Sequence, residues 1–600
     1  MNGISCERTA TRKIVSPGRF LRCVFALAVI LTLQTATAAD LGVSGQVLDP
    51  QGGVIVGAVV QLLSEDRIVV QQTKTDSQGQ YQFNSVPPGV YHLVVDAPSF
   101  NPISRDITLR SGVAVSENLQ FSELRTQNQS VLVTAKVLEP AVDLRNSEVF
   151  NRTLFTRDDQ VFKMLNAGIN AGQHEGGGKS LEVRRFGFNL DHGGVNGGLK
   201  VLVDDVQQNQ GTQGHGQGYL GALKSLSPEL IQDVKIINGP FSGEYGDFSG
   251  LGVVQIRQRE SLPEQLTVRL QGGNFDTGRG FFAYSPDVNN VDAYISYEGS
   301  YTDGPFVNPS RYRRDNINGN YLKSFKNNQK LGFRLLYGRN NFYSSGQIPL
   351  DLVTAGSLDR FGYIDPSDGG DGTLGTLSSY YTKEFSNSDV LRVDGFISRS
   401  LFDLFSNFTF YLSDPVHGDG IQQHDSRLQQ GANTQYVHTH RLGSLPAVLT
   451  VGGNLHSNQI NVGLYPREGR VPLGVKTRAD ANVTNAAAYV QETVSLLSGR
   501  LIAGVGLRFD EFWFDVTDKV VPSQSGSESQ GRWQPKANIA FTPSQSVPLT
   551  LYVNYGRGIN SADARGVVQR PDDPRVATTD FYQAGTSSNL GGSPSAPTSF

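Results

Sequence analysis

The stretch Pro228–Ile256, PELIQDVKIINGPFSGEYGDFSGLGVVQI, decides how this chain is read. Within it, Ile231, Asp233, Lys235 and Ile237 fall on one side of an extended chain, and Gln232, Val234 and Ile236 on the other. Side chains that alternate with period two mark a strand. Gly239-Pro240 ends it, because proline has no N–H to give to a ladder. Tyr245-Gly246 and the Gly250/Gly252 pair offer places where φ can turn positive. Val253–Ile256 then returns as a second strand.

Two further blocks lie upstream. LKVLVDDVQQNQ (Leu199–Gln210) is a strand followed by an Asp-Asp turn, and SLEVRRFGFN (Ser180–Asn189) is another strand-like run. Together the blocks resemble the plug of TonB-dependent outer-membrane receptors, whose patterns are I-x-I-R-G-F-G, then V-L-V-D-G-V, then P-E-x-I-E-R-V-E-V-x-x-G-P-x-S-x-x-Y-G with a closing G-G-V-I-N-I. Three blocks in the family's order over about 80 residues make the resemblance specific. It carries the motif onto Arg184, Phe186, Gly187, Asp204, Gly239, Pro240, Tyr245 and Gly246, and implies a plug over 140–260. Two positions depart from the pattern: Arg185 and Asp205 each stand where glycine is usual. Aspartate tolerates a left-handed turn better than most residues, so the hairpin at Asp205 is expected to survive.

Before the plug, a polar linker (Ser122–Gln129) leads into Ser130, Val131, Leu132, Val133, Thr134 and Ala135. A short extended segment beside a tether can add a strand to a partner's sheet; it can equally be the first strand of the plug. By position it is similar to the family's TonB box (129–135), which implies contact with the TonB energy-transducing complex.

QHEGGGKS (Gln173–Ser180) ends like a phosphate-binding loop. Such a loop needs G-x-x-x-x-G-K-[ST] between a strand and a helix. Counting back from Gly178 places Gln173 where the first glycine belongs, and LEVRRF after it is a strand. Nucleotide binding is therefore not expected. This loop, 189–198 and 207–219 are rich in Gly, Asn, Gln and His. In the family, plug apices face the external ligand, which makes His174, His192 and His215 candidate ligand contacts. Their spacing matches no standard metal motif, and solvated loop histidines are the plain alternative. None of the nine histidines begins H-E-x-x-H or H-x-x-E, so the helix-borne zinc-protease motif is absent. No catalytic residue, cofactor or resident metal is implied.

From Pro263 the pattern changes. LTVRLQGG, VDAYISYEGSY, KLGFRLLYG, LIAGVGLRFD and PLTLYVNYG each set an apolar face, often ending in aromatics, against a polar and often charged one. That dyad is the signature of a transmembrane barrel with a wet interior. Short turns (Ser495–Arg500, Thr542–Pro548) alternate with long connections near 342–372, 411–425 and 463–480. DPSDGGDG (Asp365–Gly372) is expected to be an acidic loop, since Thr376 occupies the place of an EF-hand's last acidic ligand. His438 and His440, two apart, share a strand face as a packed or solvated pair. Roughly thirteen strands fit between 262 and 585. Plugged transporters use about 22, so a barrel over 262–600 reads as truncated at its C-terminus.

At the other end, Arg8, Arg12, Lys13, Arg19 and Arg22 precede the apolar run Cys23–Leu33 and the small residues Thr35–Ala39, the order of a secretory signal peptide over 1–39. Cleavage leaves 47 basic and 55 acidic residues, a charge of −8, a poor match for nucleic acid. It also removes both cysteines, Cys6 and Cys23, and with them any disulfide. No later apolar run is long enough for a spanning helix, so membrane residence requires a closed barrel. Residues 41–122, with D-x-x-G-x-Y-x-F and PPG-x-Y-x-L runs, resemble the carboxypeptidase regulatory-like family, an all-β spacer or docking module.

The expected fold is mostly β: a small β-sandwich, a plug domain and an incomplete antiparallel transmembrane β-barrel. The resemblance implies a receptor of the bacterial outer membrane, embedded in its lipid. It would take up a scarce external small ligand (siderophore, cobalamin, oligosaccharide or peptide) with energy from TonB. An adhesin or surface-structure protein on the same scaffold is the alternative.

Overall fold

A computed structural model describes residues 41–48, 54–55, 57–64, 69–76, 78–97, 103–110, 115–120, 141–146, 169–173, 179–183, 198–213, 221–262, 265–288, 290–385, 389–543, 549–570, 572 and 574–588. They fall into two units, divided between Gln127 and Asn128.

The first unit has eight strands: β1 (Leu41–Leu48), β2 (Val59–Ser64), β3 (Val69–Lys74), β4 (Gln80–Val86), β5 (Gly89–Asp96), β6 (Ile103–Leu109), β7 (Val115–Ser116) and β8 (Leu119–Gln120). They form two sheets, β4-β1-β7 with β8 also on β1, and β3-β2-β5-β6. Val43, Val47, Leu62, Phe83, Leu93 and Val95 fill the core between them. Tyr91, Leu93 and Val95 are buried while His92 and Val94 are not, as the alternation in β5 requires. His92 sits at the surface with Asp106, 2.5 Å away.

The second unit opens with β9 (Ala141–Asn146), a hairpin of β10 (Ile169–Gln173) and β11 (Lys179–Val183), then β12 (Leu199–Val203), β13 (Val206–Gln207), β14 (Ile231–Asn238) and β15 (Gly252–Gln258). The plug sheet has the order β13-β12-β15-β14-β9, with β12 and β15 parallel. In β14 the expected faces are altered. A bulge between Ile231 and Asp233 turns Ile231 onto the side of Val234 and Ile236, all three in one core cluster. Ile237 is buried on the opposite side with Leu202, Tyr245 and Val253. Both faces of the strand are apolar near its end because the sheet is enclosed, and an enclosed strand has no solvent face to keep polar.

Fourteen strands run in sequence order around the plug: β16 (Leu266–Gly273), β17 (Thr277–Tyr284), β18 (Val291–Thr302), β19 (Tyr312–Phe325), β20 (Gln329–Tyr343), β21 (Gly369–Glu384), β22 (Val390–Ser406), β23 (Ile421–Leu442), β24 (Leu445–Glu468), β26 (Thr477–Leu496), β27 (Leu501–Asp518), β28 (Gly526–Phe541), β29 (Leu549–Ser561) and β30 (Val576–Ser588). The two-residue β25 (Val471–Pro472) folds back on β24. Each strand pairs antiparallel with the next, and among the described residues no pairing joins β30 to β16. Alternation behaves as expected. Val268, Leu270, Ile295, Phe333, Leu335, Val505 and Val553 point outward and are exposed, while Glu298, Arg508 and Asn554 point inward and are buried. A lipid-facing side chain has no protein neighbour, so its exposure marks the bilayer side.

Connections at one end are tight, as at Gly443 and Ser444; those at the other include 344–368, 407–420 and 562–575. The long-loop end differs from expectation in two places. Most of 463–480 is strand, because β24 continues to Glu468 and β26 starts at Thr477. Gly369–Gly372 opens β21 rather than lying in a loop. β23 and β24 run 22 and 24 residues. About 10 suffice to cross a bilayer, so much of this hairpin stands clear of the hydrocarbon. Asp365 and Asp368 of the acidic stretch lie 3.6 and 2.5 Å from Arg467 Nη2, so their charge is neutralised within the protein. His438 and His440 stack with ring centroids 5.2 Å apart. They lie 2.9 Å from Asp389 and 3.5 Å from Glu492 respectively.

Candidate functional site: the plug inside the barrel lumen

The plug is held on one side by buried charge. A one-turn helix, Pro228–Leu230, places Glu229 against the wall of β17 and β18. Arg279 Nη1 and Nη2 donate to the two Glu229 carboxylate oxygens at 2.8 Å each, and its Nε donates to Glu298 at 2.7 Å. Glu298 also takes a bond from Arg314 of β19 and one from Ser227 Oγ at 2.5 Å. All four charged side chains are essentially removed from water. Removing one partner of such a set leaves an uncompensated buried charge, which destabilises by about 3–5 kcal/mol. Leu336 of β20 and Leu374 of β21 complete this wall by joining the plug's own apolar core.

The signature residues fall around the same plug. Asp204 and Asp205 both adopt positive φ, +48° and +66°, between β12 and β13. The replacement of glycine by Asp205 is thus accommodated. Asp204 accepts from the Gln258 N–H at 2.9 Å and pairs with Arg334 of β20. Gly239 turns at φ +79° and its N–H donates to Leu251 O at 2.8 Å. The Pro240 carbonyl packs on β29 so closely that a Cβ built on Gly556 would lie 2.2 Å from it. Tyr245 is buried with Leu202, Ile237 and Val253. Tyr245, Gly246 and Gly250 do not supply positive φ; Phe248 does, at +65°. What Gly246 provides is room. A Cβ there would come within 2.4 Å of the Arg508 guanidinium. Arg508 Nη1 donates to the carbonyls of Gly243 and Glu244 at 3.1 and 3.0 Å, while its Nε and Nη2 bind Asp510 at 2.6 and 2.9 Å. Next to it, Asp247 accepts from Ser561 N and Oγ at 2.7 and 2.6 Å. Burial pushes the Asp247 carboxyl up to about 6.

The facing wall is different. Between the plug and strands β22–β27 lies a cavity of about 250 Å³. Lys200 and Asp205 line it from the plug, and Asp394, Arg427, His456 and Asn485 from the barrel. Val390, the first residue of β22, also lines it, so the cavity reaches the short-turn end.

Of the residues singled out in the sequence, Asp204, Gly239, Pro240, Tyr245 and Gly246 are brought to the plug–wall interface. Arg184, Phe186, Gly187, the segment Ser130–Ala135, and His174, His192 and His215 lie outside the described residues. Sequence reasoning missed Glu229, Glu298, Arg279, Arg427 and Arg508. For the four on barrel strands the inward phase was the only signal, and it marks dozens of positions equally; Glu229 lies on the Pro228–Leu230 turn, where only the P-E of the plug pattern marked it.

A mostly polar lumen filled by a small sheet, inside antiparallel strands with an apolar outer face, is the architecture of a plugged outer-membrane barrel. The family described as TonB dependent receptor-like, beta-barrel matches residues 258–594, the TonB-dependent Receptor Plug Domain residues 140–253, and the Carboxypeptidase regulatory-like domain residues 42–122. The first covers more than half of the chain, which therefore belongs to the TonB-dependent receptors, a family of the outer membrane. The TonB-dependent transporter Oar of Myxococcus xanthus is 28% identical over 241 residues, 38% of this chain. The match spans only 21% of that relative's length. Among solved structures, the unliganded ferric citrate transporter FecA aligns with TM-score 0.63 at 16% identity, over 76% of this chain and 68% of its own. The siderophore receptor PiuA of Acinetobacter baumannii aligns with TM-score 0.59 at 13% identity, over 75% and 70%. At these identities the likeness is one of fold.

Proposed function

We propose that the protein is a receptor for active uptake of a scarce external ligand, energised by TonB. The observation that carries this reading is the plug itself, seated in the lumen, joined to one wall by buried ion pairs and bordered on the facing side by a cavity. Such a plug blocks passive flow, so passage requires work on it. Ser130–Ala135 would receive that work by adding a strand to TonB. The ligand would be met at the long-loop end, with His174, His192 and His215 among its contacts. Siderophore, cobalamin, oligosaccharide and peptide are the candidate cargo classes, and no covalent chemistry is involved. Ferric siderophores come first in a test panel because FecA and PiuA are named for ferric citrate and siderophores.

The test is uptake of labelled ferric siderophores, cyanocobalamin, maltooligosaccharides and oligopeptides by cells making the intact chain or the chain lacking 129–135. Heat-modifiable gel mobility checks that each barrel is folded. Uptake abolished by the deletion, with the heat shift retained, supports the reading. Uptake indifferent to the deletion overturns it.

A further inference from the structure

Three basic side chains at the cavity beside the plug carry nitrogen atoms that have no partner among the described residues. Lys200 reaches it from β12, and its ammonium makes no hydrogen bond or ion pair with any described residue. Arg427 of β23 is wholly buried. Its Nε and Nη2 bind Asp425 at 2.9 and 2.6 Å, and Nη2 also donates to the Thr212 carbonyl. Its Nη1 has no partner. His456 of β24 has no partner at Nε2 and lies within electrostatic reach of both Lys200 and Arg427. Of the carboxylates at or near the cavity, Asp425 is engaged by Arg427, Asp510 by Arg508, Asp247 by Ser561 and Asp394 by Asn433, and Asp205 and Glu244 line it as well.

We propose that Lys200, Arg427 and His456 form a subsite for the anionic group of a small solute, a carboxylate or a phosphate. An ammonium has three donors and a guanidinium five. A charged donor out of bulk water is stable only with an acceptor, and the Lys200 ammonium and Arg427 Nη1 meet this cavity with no partner among the described residues, beside His456 Nε2, which can donate as a neutral ring. Burial, followed by the charge of Arg508, lowers the Lys200 amine to about 8, against the opposing pull of Asp247, Asp510 and Glu244. The cavity's 250 Å³ is many times the roughly 10–15 Å³ that a single water needs. A small carboxylate or a phosphate fits it. The subsite lies between plug and wall, in a cavity whose lining runs from Val390 at the short-turn end to Ala562 at the long-loop end.

The experiment is titration calorimetry on the folded full chain in detergent, with succinate and inorganic phosphate as probes. Binding of at least one is expected, weakened tenfold or more by Lys200→Met and by His456→Gln. Lys476→Met, on the exposed connection between β25 and β26, should leave it unchanged. Which anion binds names the group. Heat modifiability reports folding of each variant, and His456→Gln decides alone if Lys200→Met does not fold. Absence of binding by both anions overturns the proposal, as does binding that neither variant weakens. The proposal rests on a plugged, folded barrel and not on coupled uptake. The chain lacking 129–135 should still bind the anion, so the two readings fail separately.

Discussion

The two walls that face the plug are built from the same alternating strands and hold it by different means: buried ion pairs on one side, and hydrogen bonds to plug carbonyls beside a cavity on the other. Against β17–β20 the plug is joined by Glu229, Arg279, Glu298 and Arg314, by the pair of Asp204 with Arg334, and by an apolar cluster that includes Leu336. Against β22–β27 a cavity intervenes, crossed by hydrogen bonds from Arg508 to the Gly243 and Glu244 carbonyls and from Arg427 to the Thr212 carbonyl. A plug held equally all round would have to be released all at once. One held mainly along one wall can be displaced from the other while its buried charges stay paired.

The contrast between the walls is most exposed at Glu298. Glu298→Ala leaves Arg279 and Arg314 buried without their shared carboxylate, and a loss of about 3–5 kcal/mol is expected. Calorimetry should show this as a large fall in the unfolding temperature. A change as small as that of a surface substitution would mean that this wall does not hold the plug.

A pH effect of similar size is expected at Asp247. Burial raises its carboxyl from 3.8 to about 6. Between those values the folded protein keeps a proton that the unfolded chain has lost, so stability present at low pH is lost as pH rises from about 4 to about 6. A shift of this size corresponds to roughly 3 kcal/mol. Asp247→Asn should flatten the pH dependence of unfolding in that window, and an unchanged slope would assign it to other groups.

Gly556→Ala should act at a close approach of wall and plug. Its Cβ would meet the Pro240 carbonyl at 2.2 Å. Overpacking of this kind typically costs about 1–3 kcal/mol, and protease susceptibility of the 239–252 segment should increase. The smallest effect belongs to the cavity wall. Thr450→Val adds no bulk beside open space, and a change within about 0.5 kcal/mol is expected. A large loss there would mean that the cavity wall too is tightly coupled to the plug.

Much of this architecture is legible in the chain alone. The inward and outward phases of β16, β18 and β20 follow from Leu266, Ile295 and Phe333, because lipid and lumen demand opposite chemistry on successive residues. The Asp204-Asp205 turn is legible from what aspartate tolerates. The β14 bulge is not, since a single extra residue leaves no mark in composition. Nor is the length of the β23–β24 hairpin, whose Gly and Asn content around 452–463 resembles a loop until the cross-strand ladder is seen.

By itself, the sequence determined the class of architecture: a strand-rich small unit, a plug marked by Gly239-Pro240 and Tyr245-Gly246, and a barrel with a wet interior. These depend on local period and on turn chemistry, which neighbouring residues specify. Only the tertiary structure decided which inward charges meet. Arg279 finds Glu229 across 50 residues, Arg508 finds Gly243 across 265, and Ser561 finds Asp247 across 314. It also decided that Lys200, Arg427 and His456 share one cavity. A pairing between a plug and a wall far apart in sequence depends on sheet register and on the seating of one element inside another, and neither is written in any short stretch of the chain.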